Sequence, residues 1–147
     1  MYCCIDYTSK IVYTYFGWER GRVDKIAIYY EDLKGKQYAK NFIDSFDEKT
    51  RAKILARIEY LEKHWHEVRR PLVDKIDRDL YEIRVEFAWN NVRVLYAYMF
   101  KDYIVLLHGL VKKTEKIPVN DKEKARMRML DFQIRYNKGK IKLAKRR

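Results

Sequence analysis

Residues 80–114 read LYEIRVEFAWNNVRVLYAYMFKDYIVLLHGLVKKT, and this stretch decides the fold. It divides into three β-rich runs, Leu80–Phe87, Val92–Met99 and Tyr103–Val111, separated by Trp89-Asn90-Asn91 and by Lys101-Asp102. In the first run Tyr81, Ile83, Val85 and Phe87 alternate with Glu82, Arg84 and Glu86. Period two of this kind marks a half-buried strand. Asparagines tolerate the left-handed backbone of a tight turn. Three runs joined this closely predict an antiparallel meander. One of its faces is apolar and must be covered. The other carries Arg84 and Arg93, with Lys112 and Lys113 at the far end.

Upstream, Val23–Glu31 is rich in β-branched and aromatic residues and predicts a strand, followed by a turn at Asp32–Gly35. Lys36–Ser45 places Tyr38, Ala39, Phe42, Ile43 and Phe46 on one helical stripe. Ser45 and Glu48 have capping-box spacing, so a second helix is expected from there to about His66. Its apolar face holds Ile54, Leu55, Ile58, Leu61 and Trp65. Pro71 forbids its continuation, and Glu67–Asp79 reads as a charged connection. Downstream, Pro118 interrupts the strand pattern, and Asn120 and Glu123 again have capping spacing. A helix over Asp121–Asn137 puts Ala125, Met129, Phe132 and Tyr136 together, and Gly139 suits its stop. The order is strand, helix, helix, three strands, helix. It predicts a two-layer α+β domain over residues 23–138, with the helices covering one face of the sheet. Residues 1–22 are an extension in which Lys10–Gly17 can add a strand. Residues 139–147 are a basic tail, expected to be mobile.

A chain of 147 residues is one domain by length, and 48% apolar with 15% aromatic content argues against disorder. No window approaches the ~18 consecutive apolar residues of a membrane span. The N-terminus lacks a basic region followed by an apolar one, so no signal peptide is expected. The two cysteines, Cys3 and Cys4, are adjacent and suggest a reduced, cytoplasmic chain. The net charge of +12 is uneven: residues 1–80 carry 16 Lys/Arg against 14 Asp/Glu, residues 81–147 carry 17 against 7. The positive field therefore sits on the meander and beyond it, which suggests a polyanionic partner.

There is no Gly-rich phosphate loop, no Cys/His metal spacing and no GxSxG, so no cofactor is expected. His64 and His66 diverge on a helix. If Arg84 pairs with Leu95 and Glu86 with Arg93, the two arginines become diagonal neighbours on one face, a placement that depends on register. Facing arginines repel unless a phosphate sits between them, or unless Glu86 neutralises Arg93. At most one of Lys112 and Lys113 points to that face. Gly109 inside a strand hints at a bulge or a close backbone approach. His108 falls in phase with Ile104, Leu106 and Leu110, which reads as a buried, hydrogen-bonded histidine, yet it alone in this stretch titrates near neutrality. Glu82, in phase with Arg84, is the carboxylate best placed to act as a base. Metal-free RNA cleavage needs such parts: a proton acceptor for the 2′-hydroxyl, cations for the phosphorane charge and a proton for the leaving oxygen.

Leu80-Tyr81-Glu82-Ile83-Arg84, Val92-Arg93-Val94-Leu95-Tyr96, the run Ile104–Thr114 and Lys116-Ile117-Pro118 resemble the HigB-type, phage-protein-like branch of the RelE/ParE toxin superfamily. The likeness spans roughly Val23–Asn137. It implies a RelE-like β-α-α-β-β-β-α fold and the toxin of a type II toxin–antitoxin system. It further implies cleavage of mRNA on the ribosome and neutralisation by an antitoxin bearing a helix-turn-helix. By position it carries catalytic roles onto Arg84, Arg93 and the pair Lys112-Lys113, while Glu82 and His108 are the candidate proton carriers. Asn91 departs from the aromatic or small residue usual before the arginine. The superfamily also holds ParE-like proteins that inhibit a topoisomerase, and a phage RNA-binding module without cleavage is a third reading.

Overall fold

The computed structural model describes residues 24–143 and the backbone of a short hairpin, β1 (Val12–Thr14) and β2 (Gly17–Glu19). The hairpin forms its own two-stranded sheet. The rest of the predicted extension, Cys3 and Cys4 included, and the last four residues of the basic tail lie outside the described residues. The main chain then runs through β3 (Ile26–Tyr29), α1 (Tyr38–Asp44), α2 (Glu48–His64), β4 (Val73–Asp77), β5 (Leu80–Phe87), β6 (Asn90–Met99), β7 (Tyr103–Val111) and α3 (Val119–Asn137). This is an α+β architecture.

The five-stranded sheet has the order β3-β7-β6-β5-β4, with β3 parallel to β7 and every other pair antiparallel. The meander of the sequence is β5-β6-β7, and two of its three strands have the expected bounds. Its turns differ in detail. β6 starts at Asn90, and the left-handed residue of the first turn is Ala88 (φ 54°), not an asparagine. Phe100 and Lys101 carry the second turn, both at positive φ.

Two expectations need correction. The stretch expected to be a charged connection contains β4. Val73-Asp74-Lys75-Ile76-Asp77 shows little apolar alternation because it is an edge strand on which only Val73 is buried, and charged side chains are common on such edges. The helices also do not share one face. Ala39, Ile43, Ile54, Ile58 and Leu61 of α1 and α2 pack on Ile83, Val85, Val94, Tyr96, Ile104 and Leu106. Ala125 and Phe132 of α3 pack on the opposite face, against Leu95, Ala97, Val105 and Leu107. The central strands β6 and β7 are therefore buried on both sides, which is why they read as nearly continuous apolar runs.

The helix starts also shift. Asp47, not Ser45, caps α2: its carboxylate accepts from the Thr50 N–H (3.2 Å) and hydroxyl (2.6 Å). Ser45 Oγ instead donates to the Phe42 carbonyl, closing α1. α3 begins straight after Pro118 with no side-chain cap, so Asn120 and Glu123 do not make the box. Gly139 follows the end of α3 at φ 69°, as its position suggested. Part of the predicted tail is packed, since Ile141 and Leu143 lie against the α3-side core.

Candidate functional site

α3 covers only one end of its sheet face. The uncovered end holds a lattice of polar side chains set by strand register. Asp74 stands opposite Glu82, and Glu82 opposite Leu95. In the next row Arg84 stands directly opposite Arg93, and in the third Glu86 faces Asn91. The observed register is displaced by two residues from the one considered above. A two-residue displacement preserves the face, so the arginines remain together and come closer than diagonal neighbours. Lys112 continues the third row, because its N–H donates to the Asn91 carbonyl (2.8 Å).

The backbone under this lattice is held from behind. Arg57 Nη1 of α2 donates to the Arg84 carbonyl (3.0 Å), Lys53 Nζ to the Glu86 carbonyl (3.3 Å), and the Arg84 N–H donates to the Leu72 carbonyl (2.8 Å). The site thus rests on a strand pinned by a helix on the far face.

Glu82, Glu86, Arg84 and Arg93 form a closed ring of alternating charge. Arg84 lies 3.6 Å from Glu82 and 3.8 Å from Glu86; Arg93 lies 3.8 Å from Glu82 and 3.5 Å from Glu86. Charge-assisted hydrogen bonds ordinarily measure about 2.7–2.9 Å, so the ring attracts without closing its hydrogen bonds. Glu82 is 2% exposed and Arg93 3%. Glu82 Oε2, Arg84 Nε and Arg93 Nε are buried without hydrogen-bond partners. Such groups are rare in folded proteins and each costs about 1–3 kcal/mol. Burial pushes the Glu82 carboxyl above its ordinary value, against the pull of Arg93, Lys112 and Arg84. Burial and the facing Arg84 push the Arg93 guanidinium below its own.

In front of the ring lies a cavity of about 340 Å³. Its walls are Glu82 and Arg84 of β5, Arg70, Asp74, Lys75 and Ile76 around β4, Lys112, the loop Glu115-Lys116-Ile117, and Lys122 of α3. Arg70, Lys75, Arg84, Lys112, Lys116 and Lys122 outnumber Asp74, Glu82 and Glu115, so the cavity is cationic. Arg70 is itself tied to Asp74 (2.9 Å). Of the basic pair, Lys112 lines the cavity and Lys113 does not. Arg70, Lys75, Lys116 and Lys122 were not identified from sequence. Two of them depend on β4, whose charged residues gave no strand signal, and the others are brought in by the loop and α3.

His108 lies elsewhere. β6 and β7 slip register between Leu95–Tyr96, so that Tyr96 faces Leu106 while Leu95 faces His108. This bulge breaks the phase assumed above. Ile104 and Leu106 point to α1 and α2, whereas His108 turns beneath α3. Arg128 Nη1 donates to His108 Nδ1 (2.9 Å) and to the Leu107 carbonyl (2.9 Å), so His108 is neutral and its Nε2 donates to Asp121 (2.6 Å). Burial pushes the imidazole below its ordinary value, although Asp121 opposes this. Leu95 stands between Glu82 and His108 in the same cross-strand row, which puts them about 9–10 Å apart in strand spacing. Gly109 follows because the Phe42 ring occupies the place a Cβ would take.

Among the described residues, no three His, Cys, Asp or Glu side chains gather where they could hold a metal ion. No helix of the structure is long and apolar enough to cross a membrane.

Residues 41–130, more than half the chain, match the family model of phage derived protein Gp49-like (DUF891). The chain belongs to this family. Gp49-like proteins are a toxin-like phage family within the RelE/HigB-like toxin superfamily. No curated protein matches the chain. The matched span runs from α1 into α3 and takes in the charged ring and every wall of the cationic cavity.

Proposed function

We propose that this Gp49-like chain is the toxin of a type II toxin–antitoxin pair, of the HigB type, acting as a metal-independent endonuclease on ribosome-bound mRNA. The observation that carries the reading is the pair Arg84 and Arg93. They face each other across two strands beside a buried carboxylate, and the Nε of each lacks an acceptor. A phosphate diester in the cavity brings acceptors to the Arg84 guanidinium and negative charge beside Arg84 and Lys112, with Arg93 behind them.

In this reading the scissile phosphate enters the cationic cavity and lies on Arg84 and Lys112, with Arg93 behind them. Glu82, whose carboxyl burial pushes above its ordinary value, accepts the proton of the 2′-hydroxyl. The 2′-oxygen attacks phosphorus, the bond to the 5′-oxygen breaks, and a 2′,3′-cyclic phosphate forms. Lys112, whose charge acts on Glu82, protonates the departing 5′-oxygen. His108 has no part, since it is locked under α3. The β-α-α-β-β-β-α order of the RelE-like fold accounts for β3 through α3 with β4 added at the edge. Restraint by an antitoxin with a helix-turn-helix follows from the same resemblance.

Primer extension on a reporter mRNA after brief induction tests this, comparing wild type with the Arg84→Ala/Arg93→Ala variant. New 5′ ends within translated regions, present only with wild type, are expected. Growth arrest without new ends sinks the nuclease reading and favours topoisomerase inhibition or RNA binding alone. Cuts that persist in the double variant retain the nuclease and reject this site.

A further inference from the structure

A second cavity, of about 710 Å³, opens on the opposite face of the sheet, between the C-terminal end of α2 and strands β4–β6. Its walls are aromatic. The Tyr81 and Tyr96 rings stack at 5.5 Å and 24°, and Tyr98 stands edge-on to both, at 5.1 Å and 5.4 Å. Trp65 lies 6.1 Å from Tyr98. Polar groups also belong to its lining residues. The Tyr96 and Tyr98 hydroxyls are 3.4 Å apart, Tyr98 donates to the Trp65 carbonyl (3.3 Å), and His66 Nδ1 is buried without a hydrogen-bond partner. Burial raises both phenols, so they remain protonated donors. The exposed Arg69 guanidinium donates to the Val68 carbonyl (2.9 Å).

A cavity lined by aromatic rings, an unpartnered imidazole nitrogen and an exposed guanidinium matches a nucleobase with its phosphate outside. The volume falls within the range of small-ligand sites, about 300–1,000 Å³. An aliphatic ligand has no use for the unpartnered His66 Nδ1. Position adds a second argument. Arg70, Asp74 and Lys75 line this cavity and also the cationic one, so only the edge strand β4 separates the two. A nucleic-acid strand can pass round that unpaired edge.

We propose that the aromatic cavity binds one nucleobase of the RNA, displaced along the strand from the phosphate at Arg84, with Arg69 on that nucleotide's own phosphate. That the base belongs to an RNA substrate rests on the proposed function. That the cavity takes a nucleotide does not.

The test is a titration of ¹⁵N-labelled protein with AMP, GMP, CMP and UMP, with ribose 5-phosphate as the baseless control. At least one nucleotide is expected to shift the Trp65 indole N–H and the Tyr81 and Tyr98 amides. It should bind about tenfold more tightly than ribose 5-phosphate, the scale of one stacked base. Tyr81→Phe should keep this binding, Tyr81→Leu should lose it, and the surface variant Arg69→Ala should weaken nucleotides and ribose 5-phosphate alike. Equal binding of ribose 5-phosphate, shifts confined to Glu82, Arg84 and Lys112, or no shifts at all overturn the proposal. Nucleotide binding in the slot without cleavage of mRNA keeps the proposal and rejects the nuclease reading. Cleavage without nucleotide binding in the slot does the reverse.

Discussion

Glu82, Arg84 and Arg93 share a sheet face with His108, and α3 hydrogen-bonds His108 through Asp121 and Arg128. The contrast shows what a covering helix does to charged residues. Under α3, Asp121 and Arg128 complete the hydrogen bonds of His108, and Arg128 rests on the Tyr38 ring at 3.7 Å. That network ties β7 to α3 and α1, and nothing in it is left to react. Beyond the helix the four-membered ring has charge balance but open hydrogen bonds. The fold satisfies one cluster fully and leaves its neighbour incomplete. From sequence the two clusters look alike, since each is a charged or titratable residue in a β-run.

Substitutions break this comparison in graded ways. On the proposed function, Glu82→Gln has the largest effect, a loss of about 10²–10⁴-fold in single-turnover mRNA cleavage. Its pH dependence is more telling. Wild-type cleavage should rise as pH passes a pKa above the ordinary glutamate value of 4.5, and this limb should vanish in the variant. Retention of the limb assigns the base elsewhere.

Arg84→Ala comes next, at about 10²–10³-fold in cleavage, the scale of one electrostatic donor removed from a transition state. Thermal unfolding should change little, because the ring's hydrogen bonds are open already. A large loss of stability with normal cleavage would make the ring structural.

Gly109→Ala sharpens the other side. The new methyl meets the Phe42 ring, so urea unfolding should show a loss of about 3 kcal/mol, largely restored by Phe42→Leu. Failure of this rescue would locate the strain in the bulge rather than in the contact.

His108→Leu should cost about 1–2 kcal/mol, by leaving Asp121 and Arg128 without their shared partner, and should leave the cleavage rate unchanged. The pH trends of the two clusters oppose each other. The folded pKa of His108 lies below its ordinary 6.5, so its contribution is complete above 6.5 and is lost as pH falls from there through the folded value. The folded pKa of Glu82 lies above 4.5, so its contribution is complete below 4.5 and is lost as pH rises from there through the folded value. Unfolding free energies from pH 4 to 8 should therefore flatten at the acid end in His108→Leu and lose their fall with rising pH in Glu82→Gln.

The sequence by itself determined the meander and the stripes of α1 and α2, and it narrowed Arg84 and Arg93 to one face for any even register and Gly109 to a bulge or a close backbone approach. These are local matters: the side-chain period is two along a strand and 3.6 along a helix, and any even register displacement keeps a face intact. Tertiary structure alone decided the rest. An edge strand needs little apolar content, so β4 and the cavity walls it supplies were silent in sequence. A one-residue bulge between β6 and β7 turned His108 away from the phase of its neighbours. The helix covering each face was not readable either, because a strand buried on both sides carries no record of what covers it. That last choice separates a histidine whose hydrogen bonds α3 completes from a pair of arginines whose Nε groups lack acceptors.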